Sequence, residues 1–422
     1  MTNMTLIDEF TSCGTSVSKA LRVSAGVQWG EIYKWLDQFN LTAVGGASAT
    51  VGATGGYLQG GGHGPLSRWK GLAADNVLEF DVVTADGRRV TANNCENEDL
   101  FWALRGGGGS TFGVVLNVVF RTHPSPRIIA GILATNLSNE THYEQFISDF
   151  VHFLPKLTDN NWSSYFYLHD KTIDVILLSP NGNLSEANST FNELSQKNTD
   201  LNFQVKELIS FPSFYSFFYY RLAPFNPTGD NLLLGSRLIP DSIVRNQLDE
   251  VAQAFIDIRR QRQNQASLLG NLVAGGQVAK VDSNYNSVNP VWRRSLIHMI
   301  YVVGWLDSAS EQEKNAMAQH LRKQVDILQT IAGGSDSGCY MNEADLNEPN
   351  WQQQFYGTHA NYERLKSIKR TVDPQGLFTC KNCVGSEDWS SDLDCPSSSN
   401  GVKFNLQSTF TAVMMLPFIF AN

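Results

Sequence analysis

The stretch GGASATVGATGGYLQGGGHG occupies residues 45–64, and nine of its twenty residues are glycine, against 34 in the whole chain of 422 residues. Glycine has no Cβ, so its backbone N–H groups can approach a ligand closely. Converging N–H groups of this kind form a nest for an anion such as a pyrophosphate. A flexible low-complexity segment is the alternative, but Val51, Tyr57 and Leu58 interrupt the glycines where a folded loop needs anchors. The stretch therefore predicts a folded loop that binds an anion.

This loop differs from two common phosphate-binding motifs. It lacks the G-x-G-x-x-G pattern between a strand and a helix that marks a Rossmann fold, and no Gly-Lys-Ser/Thr follows it as in a Walker loop. Downstream, residues 78–84 predict an apolar strand, and Asp86-Gly87 predicts a hairpin turn after it. A second glycine run then occupies residues 106–109.

Three segments together carry a family resemblance. They are GGASATVGATGGYLQGGGHGPLSRWKGLAADNV at residues 45–77, DLFWALRGGGGSTFGVV at 99–115, and NYERL at 361–365 followed by Asp373-Pro374. In this order they resemble the FAD-binding domain of the vanillyl-alcohol-oxidase (PCMH) type, and within it the berberine-bridge-enzyme-like oxidases. The resemblance implies an α+β, two-domain flavoprotein, with an incomplete FAD-binding domain and an antiparallel-sheet substrate domain backed by helices. It also implies FAD as cofactor, with a small-molecule substrate and O2 as partners.

The chain departs from the family pattern in two places. Family members begin with a further lobe that carries an Arg-x-Gly-Gly-His-like segment, whose histidine often bonds the flavin covalently, and this sequence contains no such segment. Ser48 holds the place at which some members form a second flavin bond from cysteine. We therefore expect an N-terminally truncated form. Its predicted parts are a partial FAD-binding domain (residues 1–123), a substrate domain (124–350), a segment returning to the FAD domain (351–391) and a tail (392–422).

The resemblance also supplies candidate site residues. A flavin oxidase needs a base beside the flavin to take a proton from O–H or N–H, and relatives often use a tyrosine or glutamate near the Asn-Tyr motif. We predict Tyr362 for this role, with Tyr356 second; packing of Tyr362 as an aromatic side chain is the alternative. Asn361 is predicted to hydrogen-bond the N1–C2=O edge of the flavin, and a helix N-cap is its alternative. The predicted FAD contacts are Gly45, Gly46, Ser48, Val51, Gly52, Gly55, Gly56, Tyr57, Gly60, Gly61, Gly62, Gly64, Gly113, Val114 and Asn361.

Four other polar residues are candidates for structural or substrate-facing roles. His63 is expected to be a hydrogen-bonded structural residue, since a lone histidine in a glycine loop usually is. Asp75 is expected to order its loop through backbone N–H groups. His298 and Tyr301 lie on one predicted strand and, because side chains alternate, should point to opposite faces. No metal site is predicted.

The middle of the chain predicts strands and longer helices. His123-Pro124-Ser125-Pro126 marks a boundary, because proline restricts its own backbone and that of the preceding residue. Ser310 and Glu313 form a capping box that opens a helix to residue 331. Further predicted strands are residues 21–25, 112–121, 128–135, 162–168, 173–178 and 296–305, and further predicted helices are 29–39, 141–153, 186–195 and 360–372.

Composition narrows the partners and the compartment. The net charge is -9, and no long basic run is present, so a nucleic-acid partner is not expected. The six cysteines permit disulfides. Of these, Cys380-Lys-Asn-Cys383 predicts a structural bond with Cys395 or Cys339 as partners, ahead of a redox or zinc pair.

Seven asparagines open N-x-Ser/Thr motifs, which favours a glycosylated, secreted protein: Asn3, Asn40, Asn136, Asn139, Asn161, Asn183 and Asn188. The first residues lack the apolar core of a signal peptide, in line with a missing N-terminus. Residues 396–422 combine small residues, a spacer and an apolar tail, which fits a GPI-attachment signal; a tail packed on the core is the alternative. That apolar run is too short to span a bilayer, which needs about 20 apolar residues.

Two functions follow from these observations. The first is an FAD-dependent, O2-using oxidase that removes a hydride from an alcohol, sugar or secondary metabolite. The second is a non-catalytic secreted or surface glycoprotein that kept the fold and lost the flavin. No motif in the middle domain identifies the substrate, and none fixes the oligomeric state.

Overall fold

The computed structural model describes residues 2–137, 139–198, 201, 203–224, 230–261 and 266–397. Its strands are β1 (Met4–Ser12), β2 (Thr15–Ser24), β3 (Leu41–Thr42), β4 (Val77–Val83), β5 (Arg89–Ala92), β6 (Val114–Arg121), β7 (His123–Pro124), β8 (Ile128–Asn136), β9 (Ser163–Leu168), β10 (Thr172–Pro180), β11 (Val205–Phe211), β12 (Leu232–Pro240), β13 (Ala266–Leu272) and β14 (Ser295–Gly304). Its α-helices are α1 (Trp29–Asp37), α2 (Gly56–Gln59), α3 (Ser67–Lys70), α4 (Glu98–Leu104), α5 (Glu140–Asp159), α6 (Leu184–Gln196), α7 (Phe214–Phe217), α8 (Asp241–Asn246), α9 (Leu248–Arg260), α10 (Glu311–Ile331), α11 (Trp351–Tyr356) and α12 (His359–Val372).

The first sheet is antiparallel and has the strand order β1-β2-β6-β4-β5. Its β4–β5 hairpin pairs Val83 with Arg89, which confirms the turn predicted at Asp86-Gly87. Gly87 has a φ of 80°, a backbone conformation that is strained for residues with a Cβ. Helix α1 buries Ile32 and Leu36 against this domain.

The second sheet has seven strands in the order β11-β8-β10-β9-β13-β14-β12. Side chains of β8 alternate between its two faces. Ile129 and Leu133 pack into the core that holds the apolar faces of α5, α9 and α10. Ile128 and Ala130 join the core of the first domain. The sheet therefore has helices on one face and the glycine-rich domain on the other, which makes the second face the floor of the interdomain region.

The predicted helices are present, with shifted ends. Ser310 caps α10 by accepting a hydrogen bond from Glu313 N, and the Glu313 side chain bonds back to Ser310, so the predicted capping box is confirmed. Helix α5 runs six residues further than predicted, to Asp159, with Pro155 inside it. A proline removes one helical hydrogen bond, but Leu157 in the last turn is buried and holds that turn on the core.

The segment around the predicted boundary still contacts the first domain. His123 in β7 pairs with Thr42 in β3, and the second sheet begins at Ile128 in β8. At the other end, Tyr362 and Leu365 of α12 belong to the first domain's core. The chain therefore returns to that domain after leaving the second sheet.

Two disulfides link the described cysteines, Cys13–Cys95 and Cys380–Cys383. The prediction that Cys395 or Cys339 pairs with the Cys380 motif is wrong, because Cys380 and Cys383 bond each other across two residues. Cys339 is buried and Cys395 is exposed. Within the described residues, no helix has the length and apolarity needed to cross a membrane. Most of the predicted GPI tail, residues 398–422, lies outside the described residues.

Candidate functional site

The two glycine runs lie in direct contact. Gly108 N donates a hydrogen bond to Gln59 O at 2.9 Å. A Cβ placed on Gly109 would lie 2.9 Å from the Gly56 Cα, closer than non-bonded carbon atoms normally approach. Both runs therefore form one surface, as a common ligand would require.

Several predicted FAD contacts are glycines because the protein itself fills their side-chain space. A Cβ on Gly64 would lie 1.8 Å from the Gly45 carbonyl oxygen, and one on Gly45 would lie 2.1 Å from the Trp29 ring. These glycines are thus explained by close packing of the chain, with no ligand needed. The same holds for Gly46, Gly60, Gly61, Gly62 and Gly113, whose added Cβ atoms would meet Tyr57, Asn342, Val288, Ala73 and Val82.

A second group of predicted contacts faces open space. Gly52 and Gly55 are exposed, and an added Cβ at either position would meet no atom of the described residues within 4 Å. Gly56 beside them is exposed too, and the Val114 side chain at the start of β6 is 51% exposed. Ser48 and Val51 are half-buried. This bare, accessible backbone leaves room for an anionic group such as a diphosphate, because no side chain at Gly52, Gly55 or Gly56 covers it.

Tyr57 stabilises the loop from within. Its hydroxyl donates to His63 O at 2.9 Å, and its ring contacts the Trp29 ring edge to face at 5.5 Å. Burial raises the pKa of its phenol well above the usual range. Tyr57 therefore ties the middle of the glycine stretch to its end.

Asn361 hydrogen-bonds two backbone carbonyls of the protein, and its contact with the flavin stays a prediction. Helix α12 is capped by Thr358, whose hydroxyl accepts from Asn361 N at 3.2 Å, so Asn361 is not the N-cap. The Asn361 amide nitrogen donates to Tyr356 O at 2.8 Å and to Ser287 O at 3.2 Å. Because an amide nitrogen has two hydrogens, neither is left to donate to the N1–C2=O edge of a flavin in this arrangement.

The two predicted bases are held in an aromatic cluster near the C-terminal segment. Tyr362 OH donates to Glu387 Oε2 at 2.5 Å and accepts from Gly385 N at 3.2 Å. Tyr356 OH donates to Asn382 O at 3.3 Å. The phenols are almost fully buried, with 1% exposure for Tyr356 and 5% for Tyr362.

Both tyrosine pKa values move away from what a base requires. Burial, followed by the hydrogen bond to Glu387, raises the pKa of Tyr362. Burial and the Glu387 charge raise the pKa of Tyr356. A phenol with a raised pKa stays protonated and cannot accept a further proton readily. The lowered pKa that would favour a base is therefore absent at both tyrosines, and the base assignment itself stays a prediction.

Sequence reasoning missed a polar cluster at the interdomain surface. His63 at the end of the glycine stretch lies with its Nε2 3.4 Å from Glu343 Oε2. His298 in β14 has its Nδ1 3.5 Å from the same carboxylate oxygen. The two imidazole rings are 5.1 Å apart. His63, His298 and Glu343, separated by up to 280 residues, thus meet at one point, and we call them the His–Glu cluster.

Aromatic rings enclose the His–Glu cluster. The Tyr340 ring is 5.0 Å from the His63 ring, and the Trp292 ring is 5.6 Å from the His298 ring. His298 is fully buried and His63 is 7% exposed, whereas the Glu343 side chain is 30% exposed. Glu343 is therefore the least buried member of the cluster.

This environment sets the charges of the cluster. Burial lowers the pKa of His298 to about 3, although the Glu343 carboxylate opposes the change. His298 is consequently neutral at ordinary pH. Burial disfavours ionisation of Glu343, but the charge and hydrogen bond of His63, together with His298, lower the pKa of its carboxyl overall.

The placement of His298 and Tyr301 agrees with their strand positions. His298 faces the glycine-rich domain, whereas Tyr301 joins the helix-side core and its hydroxyl lies 3.0 Å from His320 Nε2 of α10. The opposite orientation predicted from the alternation is confirmed. Only His298 of the two faces the interdomain surface.

Asp75 fixes the two domains to each other. Its carboxylate accepts from Leu72 N at 2.8 Å, the local role predicted for it. It also forms two hydrogen bonds with Arg293, at 2.7 and 2.9 Å, and accepts from Asn286 at 2.8 Å. The loop after the glycine stretch is thereby tied to the segment that leads into β14.

Two sequence families match the chain. One, described as an FAD binding domain, matches residues 2–93, and the other, described as berberine and berberine like, matches residues 339–385. An uncharacterised FAD-linked oxidoreductase of Arthroderma benhamiae is 35% identical over 393 residues, covering 89% of this chain and 66% of the relative. The FAD-linked oxidoreductase patO of Aspergillus clavatus is 34% identical, covering 89% of this chain and 65% of its own length. The chain thus spans about two thirds of the length of these curated relatives.

Solved structures share the fold. A VAO-type flavoprotein of Myceliophthora thermophila superposes with a TM-score of 0.84 at 29% identity, over 94% of this chain and 73% of that one. The berberine bridge enzyme, at 22% identity and a TM-score of 0.70 over 86% of this chain and 77% of that one, shares the fold. With the glycine surface, the antiparallel sheet and the returning C-terminal helices, these matches show that the chain carries the FAD binding and berberine-like sequence families, has the fold of a VAO-type flavoprotein and is similar to FAD-linked oxidoreductases.

Proposed function

We propose that this chain acts as an FAD-dependent oxidoreductase, with the flavin on the bare glycine surface and the substrate between that surface and β14. The observation that carries the proposal is the contact of the two glycine runs beside the exposed backbone at Gly52, Gly55 and Gly56. Bound FAD would supply the hydride acceptor for a substrate C–H bond. Ser48, Val51 and Val114, which the sequence also predicts as FAD contacts, are accessible and would contact the cofactor.

The chemistry of the interdomain surface supports a small substrate with hydroxyl groups. His63, His298 and Glu343 offer polar atoms to a hydroxyl, while Trp292 and Tyr340 offer flat apolar walls. This combination suits an alcohol, a sugar or an oxygenated secondary metabolite, because few polar groups within aromatic walls are typical of ligand sites. O2 is the proposed electron acceptor.

A tyrosine base remains part of the proposal in a modified form. Tyr362 already donates to Glu387, so a proton taken up by its oxygen would be accompanied by transfer of its own proton to that carboxylate. Tyr356 donates instead to the backbone carbonyl of Asn382 and has no carboxylate acceptor among the described residues. Tyr362 is therefore the stronger of the two candidates.

Binding of FAD is the first test. We expect the flavin-free chain to quench FAD fluorescence with saturation and to become yellow. The matched variants are Gly52→Ala, which should bind, and Gly52→Leu, which should fold but lose binding because its side chain would occupy the open surface. Protein that stays colourless with excess FAD would refute the proposal. Substrate-dependent H2O2 formation then tests O2 as the acceptor.

A second candidate function rests on the glycosylation motifs. All seven motif asparagines are exposed: Asn3, Asn40, Asn136, Asn139, Asn161, Asn183 and Asn188. We propose that the protein is a secreted glycoprotein, GPI-anchored if the tail is processed, and that it is non-catalytic if flavin does not bind. After expression in a eukaryotic secretory host, endoglycosidase treatment should lower the mass of the protein. Protein of unmodified mass would contradict this proposal.

A further inference from the structure

The His–Glu cluster has the donor set of a transition-metal site. Two imidazoles and one carboxylate present one ligand atom each, and the three atoms lie within 4.8 Å of one another. Nitrogen and oxygen donors of this kind suit Zn²⁺, whereas Mg²⁺ and Ca²⁺ prefer oxygen alone. Two histidines and a glutamate also leave a fourth tetrahedral position open, as in catalytic zinc sites.

Two of the three separations between ligand atoms match the edge of a tetrahedral zinc site. In a tetrahedral site with bonds of about 2.0–2.1 Å, neighbouring ligand atoms lie roughly 3.3–3.4 Å apart. The observed pairs are 3.4 Å for His63 Nε2 to Glu343 Oε2 and 3.5 Å for His298 Nδ1 to the same oxygen. Charge-assisted N–H···O bonds are shorter, at about 2.7–2.9 Å. The distance from the Glu343 carboxylate oxygen to a ring nitrogen of each histidine thus equals about one edge of such a tetrahedron.

His298 also lacks partners for its ring nitrogens. Among the described residues, neither its Nδ1 nor its Nε2 makes a hydrogen bond, and the side chain is fully buried. A neutral imidazole carries one N–H donor and one acceptor, and buried polar groups are normally satisfied. Coordination through Nδ1 would satisfy the acceptor that faces Glu343.

We propose that His63, His298 and Glu343 bind one Zn²⁺ ion at the interdomain surface. The partly exposed Glu343 provides the route of entry, and Trp292 and Tyr340 exclude bulk water from the other sides. The inference goes beyond the proposed flavin chemistry, because none of the three ligands depends on FAD.

Zinc binding by the untagged, flavin-free full chain tests this proposal. After chelator treatment and dialysis against ZnCl₂, we expect about one zinc per chain by mass spectrometry. Co²⁺ in its place should give the intense visible bands of a four-coordinate ion with nitrogen and oxygen ligands. Because no flavin is present, a chain that fails to bind FAD still gives a readable result.

Matched variants decide which residues bind the ion. Glu343→Gln keeps the size of the side chain and should weaken zinc affinity by more than the 10–100-fold that loss of an outer-shell partner costs. His63→Gln should do the same. His152→Gln, which alters an exposed histidine 3.1 Å from Asp249, should bind as the wild type does. Far-UV circular dichroism verifies that each variant is folded. A zinc-free wild type, or folded Glu343→Gln protein with wild-type affinity, would overturn the proposal.

Discussion

Replacing Arg293 by methionine tests whether the buried ion pair with Asp75 holds the two domains together. The pair has two short hydrogen bonds, of 2.7 and 2.9 Å, and its side chains are only 7% and 4% exposed. Methionine fills similar volume but leaves the carboxylate buried, and among the described residues the remaining hydrogen bonds come from Leu72 N and Asn286. Removing one partner of a buried pair typically costs about 3–5 kcal/mol. We expect a loss of that size in the free energy of unfolding, measured by urea titration with tryptophan fluorescence.

The matched control is Arg260→Met. Arg260 binds Glu144 with similar geometry, at 2.6 and 2.7 Å, but its side chain is 54% exposed. Exposed pairs contribute only about 0.2–1 kcal/mol, so this variant should lose little. Adding Asp75→Asn to Arg293→Met should restore part of the lost free energy of unfolding, because an uncharged amide then replaces the buried, unpaired carboxylate. Equal losses for Arg293→Met and Arg260→Met would refute the reasoning from burial.

Three further predictions concern the glycine surface, the tyrosines and acid stability. Gly64→Ala should destabilise the protein by more than about 4 kcal/mol or prevent folding, since its Cβ would lie 1.8 Å from a carbonyl oxygen. Gly52→Ala is the control and should fold normally. Similar urea midpoints for the two variants would contradict the prediction. Tyr362→Phe should lower kcat by about 10²-fold or more if the phenol transfers the substrate proton, with Tyr356→Phe as the control in the same aromatic cluster; unchanged kcat in Tyr362→Phe would exclude that role. Burial, with the charges of Lys70 and Arg121, lowers the pKa of His123 to about 4, below its usual value of about 6.5. The unfolded chain therefore binds this proton first, and the stability contributed by neutral His123 is present above about pH 6.5 and lost as the pH falls towards 4, by up to about 1.4 kcal/mol per pH unit. His123→Gln should flatten that part of the urea-midpoint profile, and an unchanged slope would count against it.

Local sequence signals predicted much of the fold. Asp86-Gly87 predicted a hairpin correctly because the turn type depends on adjacent residues. Ser310 and Glu313 predicted the start of a helix correctly because a capping box also depends only on residues close together in the sequence. The strand alternation also placed His298 and Tyr301 on opposite faces.

The candidate site was harder to predict because its contacts are distant in sequence. Glu343 follows His63 by 280 residues, and no local pattern links them. The glycines posed a related difficulty, because Gly64 and Gly52 look alike in the sequence. Only the folded chain separates Gly64, packed against the Gly45 carbonyl, from Gly52, which faces open space.

The Cys13–Cys95 bond has a consequence for how the protein is handled. It joins the β1–β2 turn to the segment after β5, and the cysteines are 82 positions apart. Closing a loop of that size removes chain entropy worth about 4.5 kcal/mol from the unfolded state. Dithiothreitol in a purification buffer, or production in a reducing cytosol, would break this disulfide and selectively destabilise the first sheet. The seven-stranded sheet has no disulfide among its described residues and would stay stable.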